Sequence, residues 1–429
     1  RLKAANALGF LSHEGLEPLV QELLHLPDHK ENGAPPTGSS VSATLLHQLL
    51  CVRLLRFHAS NEAIELLLFL ATNDNGGVAA LALERLLEID GSLVTPINDQ
   101  LVHHMDSNVR RLTGRALTQQ ATVNAVILLH ELLDDPIPDI RIQTADQMVT
   151  LDAQADLSES VRSSAMDMMA SGKPRGVEQA IMVLGAVDHE PAADQMVSLL
   201  TSKTPEIAVA SAWGLRKLQV DDTSKPMLDH LSAEMKRTAE LDAELWITWK
   251  QTPPPTVDFD GLQVTYQQLQ QLMQALSLLQ YTEARELFEQ HLPTPPVRGL
   301  GDPPAVAAVF HPDTRAAAIW ALGHIALDDR TETVTNRLVE ILNSVPPSGA
   351  AEASVTRAAA AVSLGSQEVT SALPSLRNHL GPLPAHEQVG FACGRVLHVL
   401  AGEPLPVSSP RTVYQLGWFL EPIEPPDAE

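Results

Sequence analysis

The stretch Asp313–Leu327 reads DTRAAAIWALGHIAL and decides the fold, because the chain repeats it. Thr314–Gly323 matches Thr356–Gly365 at a constant offset of 42 residues, and Arg1–Gly9 carries the same pattern. In all three copies a glycine follows an arginine by eight residues, and a leucine precedes that glycine. A motif that recurs at such a distance is typical of an array of stacked structural repeats.

A second spacing runs through the middle of the chain. Val78, Val109 and Ile140 lie 31 residues apart, and the last two are followed directly by Arg110 and Arg141. A period of 31 residues accommodates two helices of about 12 residues and two short turns. No strand-turn-strand pattern is found. The sequence therefore predicts an all-α fold, an α-solenoid of antiparallel helix pairs whose turns are the segments NDNGG 73–77, DDPIPD 134–139 and SKTPE 202–206.

These repeats resemble HEAT repeats of the short bacterial type, the class also found in phycobilisome-lyase-like proteins. The resemblance rests on the Val/Ile-Arg start, the run of alanines and the Ala-Leu-Gly close, and it is clearest at 1–26, 62–219 and 310–400. It implies a solenoid fold and a family of scaffolds, adaptors and a few lyases for bilin chromophores. No residue matches a motif specific to those lyases.

The array is predicted to be interrupted by proline-rich segments. We expect an N-terminal solenoid over 1–251 with a flexible insertion at 27–42. Proline-rich linkers flanking a Gln/Leu-rich helix pair follow at 252–309, and clear repeats resume at 310–403. The last segment, 404–429, reads as one short helix and an acidic, proline-rich tail.

Net charge limits the kind of partner. The 429 residues carry a formal charge of −24, and such a field repels phosphate backbones. We therefore expect no nucleic-acid partner, and a basic protein or extended peptide is favoured. No apolar run approaches the roughly 20 residues of a membrane span. The first residue is Arg and the chain opens within a helical pattern, so a fragment is expected; a cytoplasmic location is favoured, with a periplasmic or exported one left open.

The recurring arginines have two interpretations. They could line a surface and bind carboxylates or phosphates, or each could pair with a turn acid or carbonyl of a neighbouring repeat. Asp139 and Asp313 favour internal pairing, because an aspartate at a helix start also caps the helix. The residues concerned are Arg1, Arg110, Arg141, Arg162, Arg315 and Arg357.

The recurring glycines are predicted to let the next helix pack closely or to end a helix. They are Gly9, Gly185, Gly214, Gly323 and Gly365. Trp320 and His324 align with residues of other types in the two matching copies, so we interpret them as positions in a packing frame rather than ligands. Trp246 and Trp249, three residues apart on one predicted helix face, are the candidate interface residues, although a role in capping the end of the first hydrophobic core is slightly favoured.

No catalytic constellation, cofactor motif or metal site is predicted. Cys51 follows His47 by four residues but lies among leucines, which is typical of an inert core cysteine, and the same holds for Cys393. Pro27 separates His25 from His29, and no HExxH or zinc-type Cys/His spacing occurs. The sequence thus predicts a non-enzymatic scaffold or adaptor. A bilin-lyase-like or other enzyme-maturation helper is the first alternative, and a HEAT-type nucleic-acid binder, disfavoured by charge, is the second.

Overall fold

A computed structural model describes residues 43–55, 58–248, 259–293, 311–325, 332–344, 352–380 and 387–405. Within these ranges every regular element is a helix, and two compact units are separated after Val183. The all-α prediction is confirmed. No helix in the described ranges is long and apolar enough to cross a bilayer.

The first unit consists of helices in two layers. One layer contains α1, α3, α5 and α7, each packed against the next, and the other contains α2, α4, α6 and α8. Val78, Val109 and Ile140 occupy equivalent buried positions on α3, α5 and α7, so the 31-residue period is the period of the stack. The bounds are α1 Ala43–Leu54, α2 Asn61–Ala71, α3 Gly76–Ile89, α4 Asn98–Val102, α5 Ser107–Gln120, α6 Val123–Leu132, α7 Pro138–Asp152 and α8 Ser158–Ala170.

The second unit repeats this arrangement. Helices α11, α13, α15, α17 and α19 pack in succession, and α10, α12, α14, α16 and α18 cover one side of them. The bounds are α9 Pro174–Ala186, which spans the division between the units, α10 Ala193–Leu199, α11 Pro205–Leu218, α12 Ser224–Thr248, α13 Phe259–Leu278, α14 Arg285–Glu289, α15 Pro312–His324, α16 Glu332–Asn343, α17 Ser354–Ser366, α18 Leu373–Arg377 and α19 Glu387–Ala401.

The Gln/Leu-rich segment belongs to this stack. Helix α13 packs against α11 on one flank and α15 on the other. Stacking therefore continues where the sequence repeat lapses. The segment boundaries at 251, 309 and 403 stay a prediction.

Four helices of the first unit, α2, α3, α5 and α6, begin with a side-chain cap. Asp106 caps α5, its carboxylate accepting a hydrogen bond from the Asn108 backbone N–H at 2.8 Å. Asp139 and Asp313, in contrast, make no capping hydrogen bond. A proline occupies the first helical position of both α7 and α15, which moves each aspartate past the cap. The two carboxylates lie in the first turn, where the helix dipole favours them.

Candidate binding surface

Arg110 is buried and held by the turn that follows α6. Its Nε and Nη2 donate to the two carboxylate oxygens of Asp135 at 2.6 and 3.0 Å. This hydrogen-bonded pair raises the pKa of Arg110. Asp135 also accepts from the Ile137 N–H at 2.8 Å, and its backbone carbonyl accepts from Nη1 of Arg141 at 2.8 Å. One aspartate thus connects α5, the turn and α7.

Arg315 has an equivalent position in the second unit, with only 1% of its surface exposed. Its Nε donates to the carbonyl of His291 and its Nη2 to that of Pro293, both at 3.0 Å, and Nη1 is paired with buried Glu352. Arg357 donates to the Leu342 carbonyl at 2.9 Å. Each of these guanidinium groups contacts atoms outside its own helix.

These contacts fit the internal-pairing interpretation but correct its partners. The acids are Asp135 and Glu352, not Asp139 and Asp313. Arg162 differs from the others, because it is one-third exposed and pairs with Asp152 at 2.9 Å. Arg1 lies outside the described residues.

The recurring glycines lie where two layer helices approach each other. A β-carbon at Gly323 would lie 2.6 Å from Cα of Ser363, and one at Gly365 would lie 2.6 Å from a methyl of Val396. A β-carbon at Gly185 would lie 2.7 Å from the Trp213 ring. Left-handed backbone after helices of the described chain occurs at residues outside the motif, namely Ala121, Gly172, Asp188, Gln219, Gln280, Glu368 and Gly402. Gly214 is buried in α11, and Gly9 lies outside the described residues.

Hydroxyl groups link the same helices, a feature that the sequence interpretation missed. Ser363 donates to the Ile319 carbonyl at 2.7 Å and Thr356 to the Pro312 carbonyl at 3.2 Å, both from α17 to α15. Ser277 of α13 donates to the Ala321 carbonyl at 3.1 Å. In the sequence, these residues are recognisable as single serines or threonines among alanines and leucines.

Trp320 and His324 form one half-buried cluster on α15. Their rings stack with centroids 3.9 Å apart, and Nδ1 of His324 lies 2.8 Å from the Trp320 carbonyl oxygen. Gln280 donates to the His324 carbonyl at 2.6 Å. The Trp246 side chain and all of Trp249 lie outside the described residues, so their interface role stays a prediction.

The two cysteines are buried thiols. Burial raises the pKa of both Cys51 and Cys393 to about 12, so their nucleophilic thiolate forms are disfavoured at neutral pH. Within the described ranges, no group of three or more His, Cys, Asp or Glu side chains is placed to hold a metal ion.

A cleft of about 510 Å³ opens between the Leu200–Pro205 turn, α12 and α13. Gln268 fixes the turn by donating to the Leu200 carbonyl at 2.8 Å. Burial lowers the pKa of His230, so its imidazole is neutral at neutral pH, and Glu234 lies 2.9 Å from Nε of Arg237. This volume is within the range of small-molecule sites. The sequence interpretation missed the cleft because its walls come from segments that are far apart in the chain.

Comparison with known proteins supports the repeat type and the fold. No family model matches the chain. Over 107 residues it is 35% identical to a HEAT repeat-containing taxis protein of Halobacterium salinarum, an alignment that covers 24% of each protein. Kap95p from a complex with RanGDP aligns with 94% of this chain and 52% of its own length, at 13% identity and a TM-score of 0.50. Kap121p aligns with 90% of this chain and 41% of its own, at 13% identity and a TM-score of 0.43.

The chain therefore spans about half the length of the solved structures that it matches, and the aligned region is about a quarter of the curated relative. The α-solenoid fold is confirmed, and the aligned quarter of the chain is similar to a HEAT-repeat protein. The matches do not distinguish the short bacterial subtype from other HEAT repeats.

Proposed function

We propose that the chain is a non-catalytic scaffold or adaptor that binds another protein or an extended peptide. One observation carries the proposal: the guanidinium groups of the recurring motif are engaged inside the fold. Arg110 binds Asp135, and Arg315 binds Glu352 and two backbone carbonyls. The repeated chemistry therefore builds the stack, and the solvent-facing sides of the helices are left to recognise a partner. Kap95p, whose fold this chain shares, is itself found bound to another protein.

The net charge of −24 favours a partner that is basic or of mixed charge. Complementary charge accelerates encounter and suppresses like-charged competitors, and it loses strength as salt rises. We further propose the short bacterial HEAT type and a cytoplasmic location for these repeats, and the absence of nucleic acid among the partners.

Affinity purification from the native source with cross-linking and mass spectrometry tests this function. We expect a protein partner, cross-linked to layer helices, whose recovery falls between 50 and 500 mM salt. A mock purification from the same extract is the control. Recovery of nucleic acid in place of protein, or of nothing above the mock sample, would overturn the proposal.

The cleft beside His230 favours a second candidate, a helper in chromophore attachment of the bilin-lyase kind. Its volume of about 510 Å³ suits a small molecule. Titrating a linear tetrapyrrole while recording its absorption spectrum tests this candidate. A shifted, saturable spectrum that is abolished by Leu262→Trp would support it, and an unchanged spectrum would exclude it.

A further inference from the structure

Three consecutive helices of the second unit, α13, α15 and α17, expose almost no charge. From Gly261 to Leu278, α13 contains no Asp, Glu, Lys or Arg. Arg315 of α15 and Arg357 of α17 are buried. Asp313, in the first turn of α15, is half-exposed, and it is the one such ionic side chain within 261–278, 312–324 and 354–366. Asp260 precedes this part of α13 in the sequence. A chain of net charge −24 thus contains a region with very few charged side chains.

The solvent-facing sides of these helices lie on one side of the layer. Helices α12, α14 and α16 pack behind α13, α15 and α17 respectively, and neighbouring layer helices cover the flanks of α13 and α15. The remaining side of each helix faces solvent. We call this surface the neutral face, and it carries Gln263, Gln267, Gln270 and Gln274 on α13, Trp320 and His324 on α15, and Val355, Val362 and Ser366 on α17. Asp313, which is equivalent to Val355, is the charged residue at the amino-terminal edge of this face on α15.

The glutamine amides of the neutral face are not engaged by the fold. Gln263, Gln267, Gln270 and Gln274 follow one another at helical spacing, so they form a single row. Within the described part of the chain, no hydrogen bond occupies their side chains, and Oε1 of Gln267 and of neighbouring Gln271 is shielded from water without a partner. A shielded amide oxygen without a hydrogen bond costs free energy. A ligand that supplies a donor after a side-chain rotation would remove this cost.

Charged side chains are concentrated on the opposite layer. Helix α12 carries the pairs Lys225–Asp229 and Arg237–Glu234, and α16 carries Arg337–Glu340. Ionic groups hold water strongly, and covering them is costly unless each is paired. Amides, an indole and aliphatic groups can be covered at lower cost. The neutral face is therefore the part of the described second unit that is best suited to close contact.

We propose that the neutral face binds an extended, uncharged segment of a partner polypeptide. Each glutamine amide supplies one acceptor and donors, the same groups that an extended backbone offers. Neighbouring amides of the row on α13 are four, three and four residues apart, which separates them by about 6, 4.5 and 6 Å along the helix. An extended chain repeats its outward-facing groups every two residues, about 6.6 Å. The row can thus pair with successive backbone groups while Trp320 packs against an apolar side chain.

This inference rests on the proposed scaffold function and names its contact site. It assigns the acidic charge and the contact to different surfaces. The acidic field acts on the partner as a whole at long range, and the neutral face selects the segment in contact. A basic segment would find no carboxylate in the row, and a nucleic acid would find no exposed cation there.

A random library of displayed 12-residue peptides, selected on the immobilised full chain, tests the proposal. We expect the recovered peptides to be depleted in Asp, Glu, Lys and Arg relative to the input. One recovered peptide, labelled with fluorescein, should bind with an affinity that changes less than twofold between 50 and 300 mM salt. Gln270→Glu with Gln274→Glu should weaken its binding at least tenfold, because the exchange keeps side-chain size and adds charge to the row.

A matched variant controls for added charge. Gln195→Glu with Gln290→Glu makes the same change on elements of the opposite layer and should leave peptide affinity within twofold. Unchanged circular dichroism and melting temperature establish that both variants are folded.

Three outcomes would refute the proposal that the neutral face binds an uncharged segment, while leaving the scaffold function in place. They are recovered peptides rich in Lys and Arg with salt-sensitive binding, equal affinity of the Gln270/Gln274 variant and the unaltered chain, and no enriched peptide although affinity purification yields a protein partner. If neither experiment yields a partner, the scaffold function fails as well.

Discussion

Replacing Gly323 with alanine should destabilise the second unit, although alanine is the better helix former. The new β-carbon would lie 2.6 Å from Cα, Cβ and Oγ of Ser363, about 0.8 Å short of ordinary contact at 3.4 Å. One of these atoms belongs to the backbone of α17, so a side-chain rotation cannot relieve the clash. The helix itself must move away from α15.

The size of the effect follows from three contributions. Overpacking of this kind costs about 1–3 kcal/mol. The displacement also stretches the 2.7 Å hydrogen bond from Ser363 to the Ile319 carbonyl, which is worth about 1 kcal/mol. Higher helix propensity returns about 1 kcal/mol. We therefore expect a net loss of about 1–3 kcal/mol, which lowers the melting temperature by roughly 2–4 °C per kcal/mol in a unit of this size.

Gly114→Ala provides the matched control. Gly114 also lies within a layer helix, but its β-carbon would meet only the amide oxygen of Gln147 at 2.8 Å, the far end of a flexible side chain. That side chain can rotate away, so the variant should keep its stability or gain up to about 1 kcal/mol. Scanning calorimetry and urea unfolding measure both variants. Equal melting of the two would refute close helix approach as the reason for glycine at position 323.

Three further predictions concern buried polar groups. Asp135→Ala should lower the free energy of unfolding in urea by about 3–5 kcal/mol, because it leaves the buried Arg110 guanidinium without its counter-ion. Asp152→Ala should lower it by at most about 1 kcal/mol, because the Arg162 partner is one-third exposed. Equal losses of stability would contradict the burial argument. Burial lowers the pKa of His291 from 6.5 to about 4, so the unfolded chain binds more protons in this window. The free energy of unfolding is then unaffected above pH 6.5 and falls on acidification, by about 2 kcal/mol at pH 5. His291→Leu should lack that part of the decline. An identical pH profile for the variant and the unaltered chain would contradict the role of His291. Cys51 and Cys393, with pKa values of about 12, should resist alkylation at pH 8 until the chain unfolds, and labelling at the rate of a free thiol would show that they are accessible.

The repeat architecture could be predicted because its signal is local. Each equivalent helix start has a buried apolar residue, such as Val78 or Val109, so these residues recur in the sequence at a constant spacing that does not depend on the rest of the chain. The glycine of the motif could be assigned to close packing for the same reason. Helix α13 was separated from the array because it lacks the motif, yet its buried face is kept by residues such as Leu269 and Leu272. Stacking therefore requires an apolar helix face and does not require the residues of the repeated motif.

The partners of the arginines could not be predicted, because they depend on how turns approach helices in space. Asp139 stands near Arg141 in the sequence, but Pro138 places it inside the helix, and Asp135 makes the contacts instead. Glu352 is 37 residues from Arg315. The cleft and the neutral face share this property. Each is formed by side chains from several helices, so no single stretch of sequence predicts it.

The position of Asp135 bears on how such an array can grow by duplication. A segment that begins at Ser107 and ends at Ile137 contains both Arg110 and its counter-ion. The next segment needs only the main-chain oxygen of Asp135, which any residue would supply. A duplicated segment whose boundary lies after the turn therefore contains both the buried arginine and its aspartate partner, wherever it is inserted. A cut between α6 and the turn would leave a buried cation in one product and a buried anion in the other, so recombination within this array should be tolerated only on one side of the turn.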